Sequence, residues 1–141
     1  MQISARNQFE GRVRRLTVGP INAEVVLALP GGDSLVAVVT SGSVQALGLA
    51  PGVRAVAIIK APWVIVVAGD GGPRFSARNQ LAGVVSMVKP GPVNAELAIT
   101  LPGGTVVHAV VTQQAVQELG LAPGVPARAV IQASQVVLAV S

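Results

Sequence analysis

Five consecutive residues that occur twice are the first candidates for chemistry in this chain. Ser4-Ala5-Arg6-Asn7-Gln8 returns unchanged as Ser76-Ala77-Arg78-Asn79-Gln80. Each copy supplies hydroxyl and amide donors, one permanent guanidinium charge and backbone N–H groups, but no carboxylate. Such a set of donors is suited to binding an oxyanion. The alternative is that Ser and Asn only cap turns at the start of each repeat.

Lys60 is the second polar residue with a possible role in binding. It ends an apolar run and directly precedes Ala61-Pro62. A cation at this position, if it lay beside the Ser4–Arg6 segment, would close an anion pocket; otherwise it is the solvated end of a strand. The equivalent residue in the second repeat is Gln132, followed by Ala133-Ser134. The two repeats are therefore not expected to bind identically.

Two turns offer a further type of anion site. Gly19-Pro20-Ile21-Asn22 and Gly91-Pro92-Val93-Asn94 are first of all reversals of the chain. Their open backbone N–H groups would form an anion nest if several copies met around a symmetry axis.

Catalysis and metal-cation binding are poorly supported by the sequence. There is no cysteine, and the one histidine, His108, is predicted to be an exposed strand residue. The six carboxylates form no acid/base pair, triad or metal-ligand spacing. We predict no enzyme, no catalytic residue and no metal-cation site. Glu24 and Glu96, which recur in the repeat, are interpreted as partners in structural salt bridges or hydrogen bonds.

Composition also argues against nucleic acid and membrane as partners. The net charge of +4 permits anionic ligands, but the aromatic residues that stack nucleic-acid bases are only 2% of the chain. The one basic cluster is Arg12, Arg14 and Arg15. No apolar run reaches the 18 residues of a membrane span, and no signal-peptide pattern is present. With no cysteine, a cytoplasmic location is the default expectation.

The chain is a tandem duplication. Adding 72 to a residue number maps the first half onto the second without a gap, and about half of the paired positions are identical. We predict one domain at 1–69, a linker at 70–72 and a second domain at 73–141.

Each repeat is predicted to contain five short strands and one short helix. In the first repeat the strands are expected at 9–18, 22–29, 35–40, 53–59 and 64–68, with the helix at 41–48. This order predicts an all-β fold of two tandem OB-like five-stranded barrels, each with one helix between strands 3 and 4. A sandwich of the same strands is the rival. A unit this small buries too little surface to be stable alone, so an oligomer is expected.

The repeated motifs together resemble a known family. Ser-Ala-Arg-Asn-Gln with Gly three residues later, then Asn-Ala-Glu, Val-Val-Thr and Gly-Leu-Ala-Pro-Gly, is similar to the Mop domain of molbindins. These are cytoplasmic molybdate-binding relatives of the TOBE domains. The resemblance covers both repeats and favours the tandem form. No transporter ATPase or DNA-binding segment is expected before the repeats.

The resemblance implies a homotrimer in which six Mop units form a pseudo-sixfold ring. It implies molybdate or tungstate as ligand, without a cofactor, held at interfaces between units. One class of site would pair the Ser-Ala-Arg segment with the Lys-Ala segment of a neighbouring unit. The residues selected are Ser4, Ala5, Arg6, Lys60, Ala61, Pro62, Ser76, Ala77, Arg78, Ala133 and Ser134. A second class near the threefold axis would use Gly19, Pro20, Ile21, Asn22, Gly91, Pro92, Val93 and Asn94.

The function implied is intracellular molybdate binding for storage and molybdenum homeostasis. Two alternatives stay open at this point. One is an oxyanion-sensing module that acts on a protein partner, and the other is an OB protein that binds nucleic acid.

Overall fold

The computed structural model describes residues 2–69 and 71–141, which form two five-stranded antiparallel sheets. Asp70, in the predicted linker, lies outside the described residues. The first repeat contains β1 (Asn7–Val18), β2 (Asn22–Ala28), β3 (Ser34–Thr40), α1 (Ser41–Leu47), β4 (Arg54–Ile59) and β5 (Ile65–Ala68). The second contains β6 (Asn79–Lys89), β7 (Asn94–Thr100), β8 (Val106–Thr112), α2 (Gln113–Leu119), β9 (Pro126–Ile131) and β10 (Val137–Ala139). The predicted fold of two OB-like barrels is confirmed.

Aliphatic side chains fill the core on the inner faces of both sheets. Strand β4 alternates between exposed or half-buried and buried residues, as expected for a strand with one face on a core. Strands β2 and β7 are interior strands of their sheets and are buried over most of their length, and Leu27, Leu97 and Ile99 are fully buried. Large aromatic residues are scarce, so Val, Leu, Ile and Ala supply almost all of the apolar contacts.

Each short helix begins and ends at residues that the sequence makes easy to recognise. The Thr40 hydroxyl accepts a hydrogen bond from the Ser43 N–H and so caps the start of α1. Gly48 ends the helix with φ of 64°, a left-handed conformation that glycine adopts without a steric penalty. Thr112 and Gly120 have the same roles in α2. This local chemistry explains why both helices lie where the repeat pattern predicts them.

The last strand of each repeat belongs to the sheet of the other repeat. The first sheet has the strand order β10-β4-β1-β2-β3, and the second has the order β5-β9-β6-β7-β8. Val137–Ala139 therefore pairs with β4, whereas Ile65–Ala68 pairs with β9. A sheet thus does not coincide with a sequence repeat. The division of the chain at 69 and 73 stays a prediction about domains.

A second contact between the repeats joins their Leu-Pro-Gly-Gly turns. Gly31 approaches the Gly103 backbone so closely that there is no room for a side chain at Gly31. The Asp33 carboxylate accepts hydrogen bonds from the N–H groups of Gly103 and Thr105, at 3.0 and 3.2 Å. Gly31 and Gly103 are equivalent in the repeat, as are Asp33 and Thr105. Because equivalent residues meet, the repeats are related by a local twofold axis that passes near these turns.

Candidate functional site

The register of the β1–β4 pair brings the two predicted binding segments of the first repeat together. Its ladder ends at Asn7 opposite Ile59. The next residues on the two strands are Arg6 and Lys60, so segments 4–6 and 60–62 lie side by side at the same end of the sheet. Within each segment the central alanine is buried, and the polar or charged neighbours are exposed. This end of the sheet therefore presents Ser4, Arg6 and Lys60 on its surface.

The second repeat has the same arrangement with one chemical difference. The β6–β9 ladder ends at Asn79 opposite Ile131, so segments 76–78 and 132–134 are neighbours. Ala77 and Ala133 are buried, while Ser76, Arg78 and Ser134 are exposed. Gln132, also exposed, stands where the first repeat has Lys60. The second cluster consequently has one cation rather than two.

Two members of the repeated polar string have structural roles that the sequence did not reveal. The Gln8 side-chain amide donates to the Ala5 carbonyl at 3.0 Å, and Gln80 does the same to Ala77 at 3.1 Å. Asn7 and Asn79 are buried and bind the backbone of the opposite repeat. Within the string, the serine and the arginine are therefore the side chains left to face a ligand.

Each arginine of the candidate site is paired with a glutamate from the other repeat. Arg6 Nη2 lies 2.9 Å from Glu96 Oε2, and Arg78 Nη2 lies 3.0 Å from Glu24 Oε1. The interpretation of Glu24 and Glu96 as structural partners is confirmed. The five-residue string itself contains no carboxylate, but a strand of the other repeat places one beside each arginine. The Arg6 and Arg78 side chains remain 59% and 51% exposed, so their other N–H groups stay accessible.

His108 is placed differently from the prediction. It lies on β8 with its side chain 30% exposed, and its Nδ1 is 3.6 Å from Glu96 Oε1. The predicted exposed position is therefore wrong, because the start of β1 packs over this part of β8. The equivalent residue in the first repeat is Val36.

Lys60 projects from the end of β4 into solvent. Its Nζ lies 5.8 Å from the centroid of the Trp63 ring, which is close enough for a cation–π contact. Among the described residues no carboxylate lies within 4 Å of this ammonium group. Lys60 thus adds a positive charge that the surrounding residues do not neutralise.

The two Gly-Pro turns do not present the open glycine amides that were expected. The Gly19 N–H donates to the Asn22 carbonyl at 2.8 Å, and the Gly91 N–H faces Gln113 Oε1 at 3.4 Å. The turns instead present apolar side chains, since Ile21 is 76% exposed and Val93 is 72% exposed. The nest interpretation is therefore wrong for the two glycine N–H groups.

Two other types of site are also absent from the described part of the chain. Residues 2–69 and 71–141 contain no group of three or more His, Cys, Asp or Glu side chains able to hold a metal ion. No helix among these residues is both long and apolar enough to span a membrane.

Comparison with known proteins assigns the chain to a family. Residues 3–66 and 76–138 each match the TOBE domain, so the chain belongs to the TOBE-domain family and carries two copies. Within that family it is a tandem Mop-domain protein, as the repeated motifs predict.

Relatives of both one-repeat and two-repeat length are similar to it. The molybdenum-pterin-binding protein MopA of Rhodobacter capsulatus is 48% identical over 99% of this chain and 52% of its own length. Molybdenum-pterin-binding protein 1 of Clostridium pasteurianum is 43% identical over 48% of this chain and 100% of its own length. A solved structure of the cytoplasmic molybdate-binding protein ModG, with molybdate bound, is 52% identical, covers 100% of both chains and has a TM-score of 0.94.

These relatives are named for binding and not for catalysis. The prediction that the chain is not an enzyme is confirmed by this family identity. The chain spans about half the length of MopA and of the other curated relatives that match both repeats.

Proposed function

We propose that this protein binds molybdate, or the similar tungstate, in the cytoplasm for storage and molybdenum homeostasis. The proposed assembly is a homotrimer with anions held at interfaces between its Mop units. No cofactor, nucleic acid or membrane takes part. The anion is cargo and is bound and released unchanged.

The observation that carries this proposal is the juxtaposition of segments 4–6 and 60–62 at one end of a sheet, within one repeat and not from neighbouring units as the resemblance implies. In the proposed assembly a neighbouring unit covers this exposed cluster. The same juxtaposition occurs for 76–78 and 132–134 in the second repeat. Each cluster supplies hydroxyl and guanidinium donors on an exposed surface, with small buried alanines that let a ligand approach the backbone. The similarity to ModG, whose structure holds molybdate, supports molybdate as the anion.

The charges in these clusters suit reversible binding of a dianion. Each arginine is already paired with a carboxylate, so the arginine–glutamate pair adds no net charge. Hydrogen bonds from the remaining guanidinium N–H groups, from serine and from the backbone then supply most of the affinity. Lys60 adds one further charge in the first repeat only. Sulfate has shorter bonds from its central atom to oxygen, so it would form longer and weaker hydrogen bonds with the same set of donors.

Exposed apolar residues support assembly with other copies of the chain. Val18, Ile21 and Val93 are more than half exposed and lie on or next to the Gly-Pro turns. Large aliphatic side chains at exposed turns are favoured where another protein surface covers them. The turns are therefore proposed as contacts between subunits near the threefold axis, where a second class of anion site would lie.

The direct test is calorimetric titration of the purified protein with molybdate, with sulfate and phosphate as controls, together with its mass in solution. Tight molybdate binding by a trimer and little response to sulfate would support the proposal. A well-folded protein that shows no heat with molybdate would overturn it.

Two substitutions test the residues of the first cluster. Arg6→Ala should weaken molybdate binding about tenfold or more, because it removes a charge-assisted hydrogen bond. Lys60→Gln should reduce the affinity of the first repeat's sites toward that of the second. The matched change Gln132→Lys should strengthen binding in the second repeat. If all three variants titrate as the unmodified protein does, these residues do not bind the anion.

A further inference from the structure

Glu96 is shared by two basic side chains from different repeats. Its Oε2 lies 2.9 Å from Arg6 Nη2, and its Oε1 lies 3.6 Å from His108 Nδ1. The Nδ1 atom is buried and has no hydrogen-bond partner among the described residues. The Glu96 side chain is only 16% exposed, so water screens it less than it screens a surface carboxylate. A proton gained by His108 therefore places a positive charge directly beside the carboxylate that holds Arg6.

The other half of the molecule lacks this third group. Glu24 holds Arg78 at 3.0 Å, but Val36 occupies the position equivalent to His108. The two ion pairs are otherwise related by the local twofold axis. The Arg6–Glu96 pair thus has a neighbouring imidazole, whereas the equivalent Arg78–Glu24 pair has none and serves as an internal control.

Few other charged groups surround the imidazole. A cavity of about 440 Å³ between the start of β1 and β8 is lined by Arg6, Gln8, Glu10 and His108, among other residues. Glu10 contributes a carboxylate to the lining of this space. Asp33 accepts hydrogen bonds from the N–H groups of Gly103 and Thr105, which also line this cavity. Glu96, whose Oε1 lies 3.6 Å from Nδ1, is therefore the carboxylate that couples most directly to His108, and Arg6 and Glu10 line the adjoining cavity.

We propose that His108 is a positioning residue for the Arg6 anion site, and that it makes this site bind its anion more tightly as the pH falls. The inference rests on the proposed function and concerns only the first repeat's arginine. His108 does not contact the anion. It acts by changing how strongly Glu96 holds the Arg6 guanidinium.

The sign of the effect follows from the charges. A histidine side chain gains its proton between about pH 8 and pH 5. Protonated His108 supplies Glu96 with a second cation, which weakens the hold of Glu96 on Arg6 and offsets the repulsion between Glu96 and an anion. Both effects favour anion binding. When His108 is neutral, Arg6 is the only cation paired with Glu96 and the ion pair is stronger. Anion binding at the Arg6 site therefore weakens as the pH rises.

The experiment is molybdate calorimetry at pH 8 and pH 6 on the full chain and three variants. The unmodified protein should bind about two- to fivefold more tightly at pH 6 in one class of site, the size expected for a partly exposed ion pair. His108→Val copies the natural Val36 and should abolish this dependence. Val36→His should introduce it into the sites that contain Arg78. His108→Gln, which keeps a polar side chain without a titrating charge, should behave like His108→Val.

A second measurement reports on His108 itself. It is the only histidine in the chain, so in untagged protein the ring carbon and proton resonances of one imidazole can be followed by NMR. Because linkage is reciprocal, molybdate should move the midpoint of this titration to higher pH. An unmoved midpoint, or affinity that is equally flat with pH in the unmodified protein and in His108→Val, would overturn the inference while leaving molybdate binding intact. No binding at either pH would remove the proposed function and this inference together.

Discussion

At the scale of single residues, Asn7 and Asn79 connect the two repeats. Asn7 Nδ2 donates to the His108 carbonyl at 2.8 Å, and the His108 N–H donates to Asn7 Oδ1 at 2.7 Å. Asn79 forms the same pair of bonds with Val36, both at 2.8 Å. A carboxamide carries a donor and an acceptor like those of a peptide group, so each asparagine pairs with the opposite strand as a backbone unit would. Both bonds are needed because these side chains are 1% and 2% exposed.

Replacing Asn7 should therefore destabilise the protein through the groups left without partners. Asn7→Ala is expected to lower the free energy of unfolding by about 1–3 kcal/mol, since it removes the partners of a partly buried N–H and carbonyl. Urea denaturation at a fixed protein concentration measures this. Asn79→Ala should cost a similar amount. Gln8→Ala, at an exposed side chain of the same string, should cost less, and an equal loss in all three would contradict the assigned role.

At the scale of elements, the contact between the two Leu-Pro-Gly-Gly turns depends on Asp33. Burial alone would raise the pKa of the Asp33 carboxyl. Hydrogen bonds from the Thr105 side chain and from the N–H groups of Gly103 and Thr105 outweigh this and lower the pKa below its ordinary value. The charged form of Asp33 is therefore favoured in the folded protein. The equivalent turn has Thr105 in place of an acid, so one carboxylate serves both turns.

The lowered pKa of Asp33 predicts how this contact responds to pH. A carboxyl whose pKa is lower in the folded state stabilises the protein above its unfolded pKa, and this contribution is lost as the pH falls through the folded pKa. Asp33→Asn should thus lower the free energy of unfolding at pH 7 by about 1 kcal/mol. The difference from the unmodified protein should shrink below about pH 4. Denaturation curves of both proteins at pH 7 and at pH 3 measure this. The same difference in free energy of unfolding between Asp33→Asn and the unmodified protein at both pH values would contradict this account.

At the scale of the whole molecule, the repeats associate as two subunits of a symmetric dimer would. Strands β5 and β10 are exchanged, and the Arg6–Glu96 and Arg78–Glu24 pairs cross between the repeats in both directions. Reciprocal contacts of this kind define an isologous interface. The single-repeat relative from Clostridium pasteurianum indicates that such a unit also occurs as a protein by itself.

A single repeat should therefore associate with a second copy of itself. Residues 1–69 expressed alone are expected to form a dimer or a higher even assembly, because β5 needs the partner's sheet in place of β9 and β4 lacks β10. Light scattering coupled to size-exclusion chromatography measures the mass. The unmodified chain is the control. A folded monomer of 1–69 would show that β5 can return to its own sheet, and would contradict the importance of strand exchange.

Local patterns in the sequence determined the type and order of the elements. Strand periodicity, the Thr40 and Thr112 caps, the terminal glycines and the Gly-Pro and Pro-Gly-Gly turns all act within a few residues, so they can be recognised without the tertiary structure. Because the second half repeats the first at a spacing of 72 residues, each strand and helix predicted in the first repeat was also predicted in the second. The segments at 4–6 and 60–62 could be chosen as a possible cluster, but their adjacency depends on the register of β1 with β4.

Only the tertiary structure decided which repeat completes each sheet and which partners the polar residues take. Arg6 and Glu96 are separated by 90 residues, and Asn7 and His108 by 101. Recurrence of both Arg6 and Glu24 in the repeat was a signal of a structural pair, but it could not show that the pairs cross between repeats. The prediction that His108 is exposed was wrong for the same reason, because the residues that cover it belong to the other repeat. These contacts arise where two similar units pair, and each sheet is completed only by a strand of the other unit, so no pattern within a single repeat contains them.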